Sequence, residues 1–174
     1  MHFFYNGVFL IAVLFWGKLE NWKEYYSTIL FFIACDFFAN IITYNNSLWK
    51  YQETVFGQEI LMNHTIINLL IMFVAYPATI FLFIGYFPSK KWKKIGWILF
   101  WVSLYSIVEY INLHFFTLIT HHNGWNMAWS VLFNIVMFTS LRIHYRKPLL
   151  AWLIAAIWSV IIILYFNIPF TKMK

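Results

Sequence analysis

Uninterrupted apolar runs recur along the chain at about 3–17, 25–44, 60–87, 95–120, 125–141 and 149–168. Most are close to or longer than the roughly 20 residues a helix needs to cross a bilayer. The breaks between them collect nearly every formal charge: Lys18 to Glu24, Lys50 to Glu59, Lys90 to Lys94 and Arg142 to Lys147. Inside the runs only Asp36 and Glu109 are formally charged. The pattern predicts an all-α, polytopic membrane helix bundle of six spans, forming one domain over residues 1–174. If the short first run lay on the membrane surface, five spans would remain. That run follows no lysine or arginine and precedes no small-residue cleavage site, so it is expected to persist as a helix.

Lysine and arginine gather in short cytoplasmic loops. The first, third and fifth breaks hold nine of the twelve, and the other side holds Lys50, Lys172 and Lys174. Both termini are therefore expected outside, with residues 89–94 and 142–147 in the cytoplasm. Composition adds exclusions. With 63% hydrophobic and 10% charged residues among 174, the chain is neither a soluble globule nor disordered, and Cys35 alone cannot support a disulfide scaffold. The formal charge of +6 does not indicate nucleic acid, because Lys90-Lys91-Trp92-Lys93-Lys94 is accounted for by topology and anionic headgroups. Trp16, Trp22, Trp49, Trp92, Trp97 and Trp125 fall near run ends, as interfacial anchors do. The stretch 45–59, with Leu48, Trp49, Val55 and Phe56 among polar residues, reads equally as a lid or a connection on the outer surface.

A charged group at the bilayer centre costs about 3 kcal/mol on insertion scales, so polar side chains within spans need a reason. On the fourth predicted helix, Glu109, Asn112 and Tyr105 share one side, and Ser106, Tyr110, His114, Thr117 and His121 flank them. Leu104, Val108, Ile111, Phe115 and Leu118 make the expected lipid face. The second helix aligns Asp36, Asn40 and Thr43, the third aligns His64, Asn68 and Thr79, and the fifth aligns Asn126, Ser130 and Asn134. At 1.5 Å per residue, His64, Ser130, Asn68, Asn134 and Asp36 fall about 6–14 Å below the outer surface, with Glu109 at a similar level. One polar cavity in the outer half of the bundle is expected, built by the second to fifth helices, over an inner half that is almost wholly apolar. The string His121-His122-Asn123-Gly124-Trp125-Asn126 belongs at its mouth: Asn-Gly favours a tight turn, and Asn123 is placed to cap the fifth helix.

These groups support several chemistries. His64, Glu109 and His114, with Asp36 nearby, are the residue types of a divalent-metal site with a position left for an activated water. Their spacing contains no His-Glu-x-x-His, and three segments would have to converge. Asp36 and Glu109 without a metal could share a proton, bind a cation or carry protons, although no polar stripe continues to the inner side and no inverted repeat is visible. The plain structural alternative is interhelical hydrogen bonding that fixes one packing, the better account of Asn68, Ser130 and Asn134. Cys35 reads as core packing, and Arg142 and His144 as residues reaching headgroups from the inner end of the fifth helix. No nucleophile elbow, phosphate loop or dinucleotide fingerprint occurs.

Asn63-His64-Thr65, Ser106-Ile107-Val108-Glu109-Tyr110, His122-Asn123-Gly124-Trp125-Asn126 and the run from Arg142 through Pro148 to Trp152 carry a resemblance. Over about 25–152 the chain resembles a family of small multi-spanning membrane proteins of spore-forming Firmicutes, for which no activity is established. The resemblance implies a bacterial cytoplasmic membrane and no particular cofactor or substrate. The expected partners are the lipid bilayer and either a small ligand or another membrane protein. A metal-assisted hydrolase acting on lipid at the outer leaflet is the competing enzymatic reading.

Overall fold

A computed structural model describes residues 2–52, 64–169 and 171. Seven helices run in chain order: α1 (His2–Trp16), α2 (Trp22–Ile42), α3 (His64–Phe73), α4 (Ala75–Gly85), α5 (Lys91–His114), α6 (Met127–His144) and α7 (Pro148–Tyr165). Two short strands, β1 (Trp49–Tyr51) and β2 (Ile119–His121), pair antiparallel with Trp49 opposite His121 and Tyr51 opposite Ile119. Among the described residues five helical stretches are long and apolar enough to cross a membrane: Leu19–Ile42, His64–Gly85, Lys91–His114, Met127–His144 and Pro148–Tyr165. The apolar α1 is shorter and packs against α3 and α4.

The third predicted span is two helices because Pro77 has no N–H to offer the carbonyl of Phe73. Val74 absorbs the break at φ −113° and ψ −62°, and the ladder resumes where Ala78 N–H donates to Val74 O at 3.2 Å. The fourth ends at His114 and not at 120. Apolar continuity through Phe115 and Phe116 gave no sign of the stop, but Thr117 enters the left-handed region (φ 50°) and Leu118 N–H closes on Asn112 O at 2.9 Å. The chain is thereby turned into β2, whose partner β1 lies in the stretch that reads equally as a lid or a connection. Pairing extends beyond the strands, since His122 N–H donates to Leu48 O and Gln52 N–H to Leu118 O, both at 2.8 Å. The Asn123-Gly124 turn forms as expected, with φ values of 52° and 86°. The cap of α6 is Asn126, whose Oδ1 accepts from Ala128 and Trp129 N–H; Asn123 instead donates its amide to Ser47 O.

The turns from α1 to α2, from α4 to α5 and from α6 to α7 lie at one end of the bundle, so the described loop charges segregate. Lys18, Glu20, Lys90, Arg146 and Lys147 lie at the loop end, and Lys50 lies on the ribbon at the other. Toward the loop end the interior is solid. Phe83 and Phe138 are fully buried with ring centroids 5.1 Å apart, and Trp101 lies 6.0 and 5.8 Å from them. Most of these contacts are edge-on or tilted, as the ring quadrupoles favour. His144 belongs to this packed end. It is 4% exposed, stacks on Phe31 at 4.3 Å and bonds Thr28 Oγ1 at 3.1 Å, so it does not reach out to headgroups.

Candidate functional site

Between the packed end and the ribbon lies a cavity of about 300 Å³. Asp36 is one of its two carboxyl centres. Its Oδ2 accepts from Asn68 Nδ2 at 2.7 Å and Asn40 Nδ2 at 3.1 Å, and its Oδ1 accepts from the Tyr76 hydroxyl at 3.1 Å. These donors meet because Asp36 and Asn40 are one turn apart on α2, while α3 and α4 bring Asn68 and Tyr76 across from it. The cluster continues to the ribbon. Tyr51 N–H donates to His64 Nδ1 at 3.1 Å, which leaves the proton of a neutral imidazole on Nε2, facing Asn40 Oδ1 at 3.3 Å. Asp36, Asn40, His64 and the β1 backbone thus form one hydrogen-bonded chain.

That chain makes His64 a latch for the ribbon. His64→Ala is expected to raise the exchange rate of the Tyr51 amide about five- to tenfold, for a bond worth about 1–1.4 kcal/mol. Hydrogen–deuterium exchange read by mass spectrometry checks it. Acidification that protonates Nδ1 takes away the same acceptor, so wild type should loosen as pH falls while the variant responds no further. Unchanged protection of the ribbon in His64→Ala would remove the latch.

Glu109 is the second centre. Its Oε1 accepts from Ser130 Oγ at 2.5 Å and lies 2.8 Å from His121 Nε2, and Trp125 Nε1 donates to Ser130 Oγ at 2.8 Å. Glu109 therefore joins α5 to α6 and to β2. Below it Asn134 Nδ2 donates to Ser106 Oγ at 3.1 Å. Burial first, with the nearby Asp36, Tyr105 and Glu109 adding to it, holds the Tyr51 phenol well above its ordinary range, so that hydroxyl stays neutral.

Of the residues the sequence singled out, Asp36, Asn40, His64, Asn68, Glu109, Asn112, Ser130 and Asn134 all border the cavity, and His121 joins it through Glu109. Three do not. His114 points away from it: its Nδ1 bonds the Tyr110 carbonyl of its own helix and its ring stacks on Tyr110 at 4.2 Å, both on the exposed stripe of α5 with Ile107. Asn126 spends its side chain on the α6 cap. His122 bonds Thr120 Oγ1 at 2.8 Å in a separate, shallow polar recess with Tyr44, Lys50 and Asn123. The expected metal triad of His64, Glu109 and His114 is therefore not assembled, and among the described residues no three His, Cys, Asp or Glu side chains converge as metal ligands would.

The walls also include residues the polar stripes did not flag. Tyr5 and Phe9 come from α1, Trp158, Ser159 and Ile162 from α7, and Leu48, Trp49, Tyr51 and Ile119 from the ribbon and its approach. Val108, expected toward lipid, lines the cavity, and so does Trp125, expected as an anchor. Trp97 turns inward as well, donating to Phe83 O at 2.9 Å, whereas Trp16, Trp22 and Trp92 are exposed as anchors should be. A tryptophan near a helix end is ambiguous because one indole suits an interface and a cavity wall alike. Among the described residues, two fully buried polar atoms of cavity-lining side chains, Asn112 Oδ1 and Trp158 Nε1, have no hydrogen-bond partner.

Among the described residues, five helices long and apolar enough to cross a membrane and a two-stranded ribbon over a cavity with a polar cluster in its wall are consistent with an integral membrane helix bundle. No family model, curated protein or solved structure matches the chain. The functional reading accordingly rests on the site.

Proposed function

We propose that this protein binds a small ligand within the bundle, in a bacterial cytoplasmic membrane, with the ribbon end facing outward. The observation that carries the reading is the cavity itself, to whose wall four helices bring eight polar side chains. Mostly apolar walls with a few placed polar groups are the ordinary make-up of a small-molecule site. The solid packing around Phe83 and Phe138 favours a pocket served from one end over a path through the membrane. The segregation of lysine and arginine to the loop end supports the orientation.

The test uses tryptophan fluorescence and thermal unfolding of the full chain in mild detergent against a panel of cationic, neutral and anionic small molecules. Trp49, Trp125 and Trp158 report directly because they line the cavity. At least one class is expected to shift both signals, and Ser159→Phe, which fills the space beside α7, is expected to abolish the shift. A silent panel, or shifts that survive Ser159→Phe, would defeat the reading.

A further inference from the structure

Resting on that reading of the cavity, we propose that its ligand is an organic ammonium: a protonated amine carried on a compact apolar body. Among the described residues the wall carries two carboxyl groups, Asp36 and Glu109, and neither lysine nor arginine. An anionic ligand would meet two carboxyls and no fixed cation. The two centres differ in what they still need. Glu109 already has His121 at 2.8 Å, whereas the partners of Asp36 are the uncharged Asn40, Asn68 and Tyr76.

A carboxylate has about four lone-pair sites, two on each oxygen. On Asp36, Oδ2 accepts two hydrogen bonds and Oδ1 one, so a single acceptor position remains, on Oδ1. One position suits one N–H of an ammonium. A hard divalent ion would ask for six or more oxygens, which this carboxylate cannot lead. The ring of Tyr76 stacks on Phe32 with centroids 3.8 Å apart, and both side chains border the cavity next to Asp36. A cation beside such rings gains roughly two- to thirtyfold in affinity from their faces. The volume, near 300 Å³, lies at the small end of ligand pockets and suits a body about the size of one substituted aromatic ring.

The experiment compares 2-phenylethylamine, 2-phenylethanol and phenylacetate, which share a body and differ in charge, by calorimetry on the full chain in detergent at neutral pH. The amine is expected to bind about tenfold or more tightly than the alcohol, and phenylacetate not measurably. Asp36→Asn should bring the amine to the level of the alcohol measured in the same variant, and continued binding of the alcohol there reports an intact cavity. Phe32→Leu keeps the carboxylate and removes a ring, and should weaken the amine about three- to tenfold more than the alcohol; it decides the matter if Asp36→Asn does not fold. Equal affinity for amine and alcohol in wild type, an amine preference that survives Asp36→Asn, or displacement of the amine by calcium at constant ionic strength would each overturn the ammonium and leave a ligand cavity standing. Failure of all three compounds, with the broader panel silent as well, would overturn both readings.

Discussion

Phe138→Ala is expected to lower the unfolding free energy by about 3–5 kcal/mol, the range for truncating a large core aromatic. Phe138 is fully buried and meets Phe83, Trp101 and Tyr105 at ring-centroid distances of 5.1, 5.8 and 5.1 Å. In a bilayer the apolar driving force between helices is weak, since lipid tails are as apolar as the side chain. The loss is therefore one of packing: dispersion contacts vanish and a void opens between α4, α5 and α6. Denaturant or thermal unfolding in mixed micelles reads the change. Phe138→Leu, which keeps more of the volume, should cost less than half as much. A Phe138→Ala protein within about 1 kcal/mol of wild type would mean that the loop end is not the rigid floor of the cavity.

Glu109→Ala is expected to cost about 2–3 kcal/mol and to loosen the ribbon. Hydrogen bonds between membrane helices average about 0.6 kcal/mol with a maximum near 1.7, and one carboxylate oxygen here serves two partners, Ser130 and His121. Removing it also takes away the acceptor that Ser130 Oγ, itself the acceptor of Trp125, uses in this structure. Because His121 ends β2, exchange of the β1 and β2 amides should rise together with the loss of stability. Glu109→Gln retains an acceptor oxygen and should recover about half of both effects. If the alanine and glutamine variants unfolded together and the ribbon kept its protection in both, Glu109 would be a bystander to the roof.

The polar stripes were legible because a helix places i, i+4 and i+7 on one face, and no lipid-facing position tolerates Asp36, Asn40 or Asn68 cheaply. The same periodicity misplaced Tyr110 and His114, which flank the polar side of α5 by angle and yet face outward. An arc of a helical wheel does not say where the neighbouring helix ends, and α6 covers Glu109 and Ser106 but leaves the next stripe bare. His114 adapts by bonding its own backbone, which any helical histidine can do without a partner. Tyr76, Tyr51 and Trp158 escaped notice for another reason. As aromatics they count as apolar in a hydropathy reading, while the hydroxyl or indole N–H that matters here acquires a role only when another helix brings it a partner or a cavity.

The linear chain by itself determined the apolar helices of spanning length, their approximate bounds, the segregation of loop charge and the existence of a polar layer, because each follows from the cost of placing charge or unpaired backbone in hydrocarbon. The folded bundle alone decided which polar groups share one space. It broke the third span at Pro77, ended α5 early to supply β2, and drew 49–51 out of an apparent surface loop to roof the cavity through Trp49 and Tyr51. It also divided the histidines, sending His64 and His121 to the two carboxyls and His114 and His122 elsewhere. Such pairings span dozens of residues along the chain and depend on helix rotation and strand register, which local periodicity does not encode.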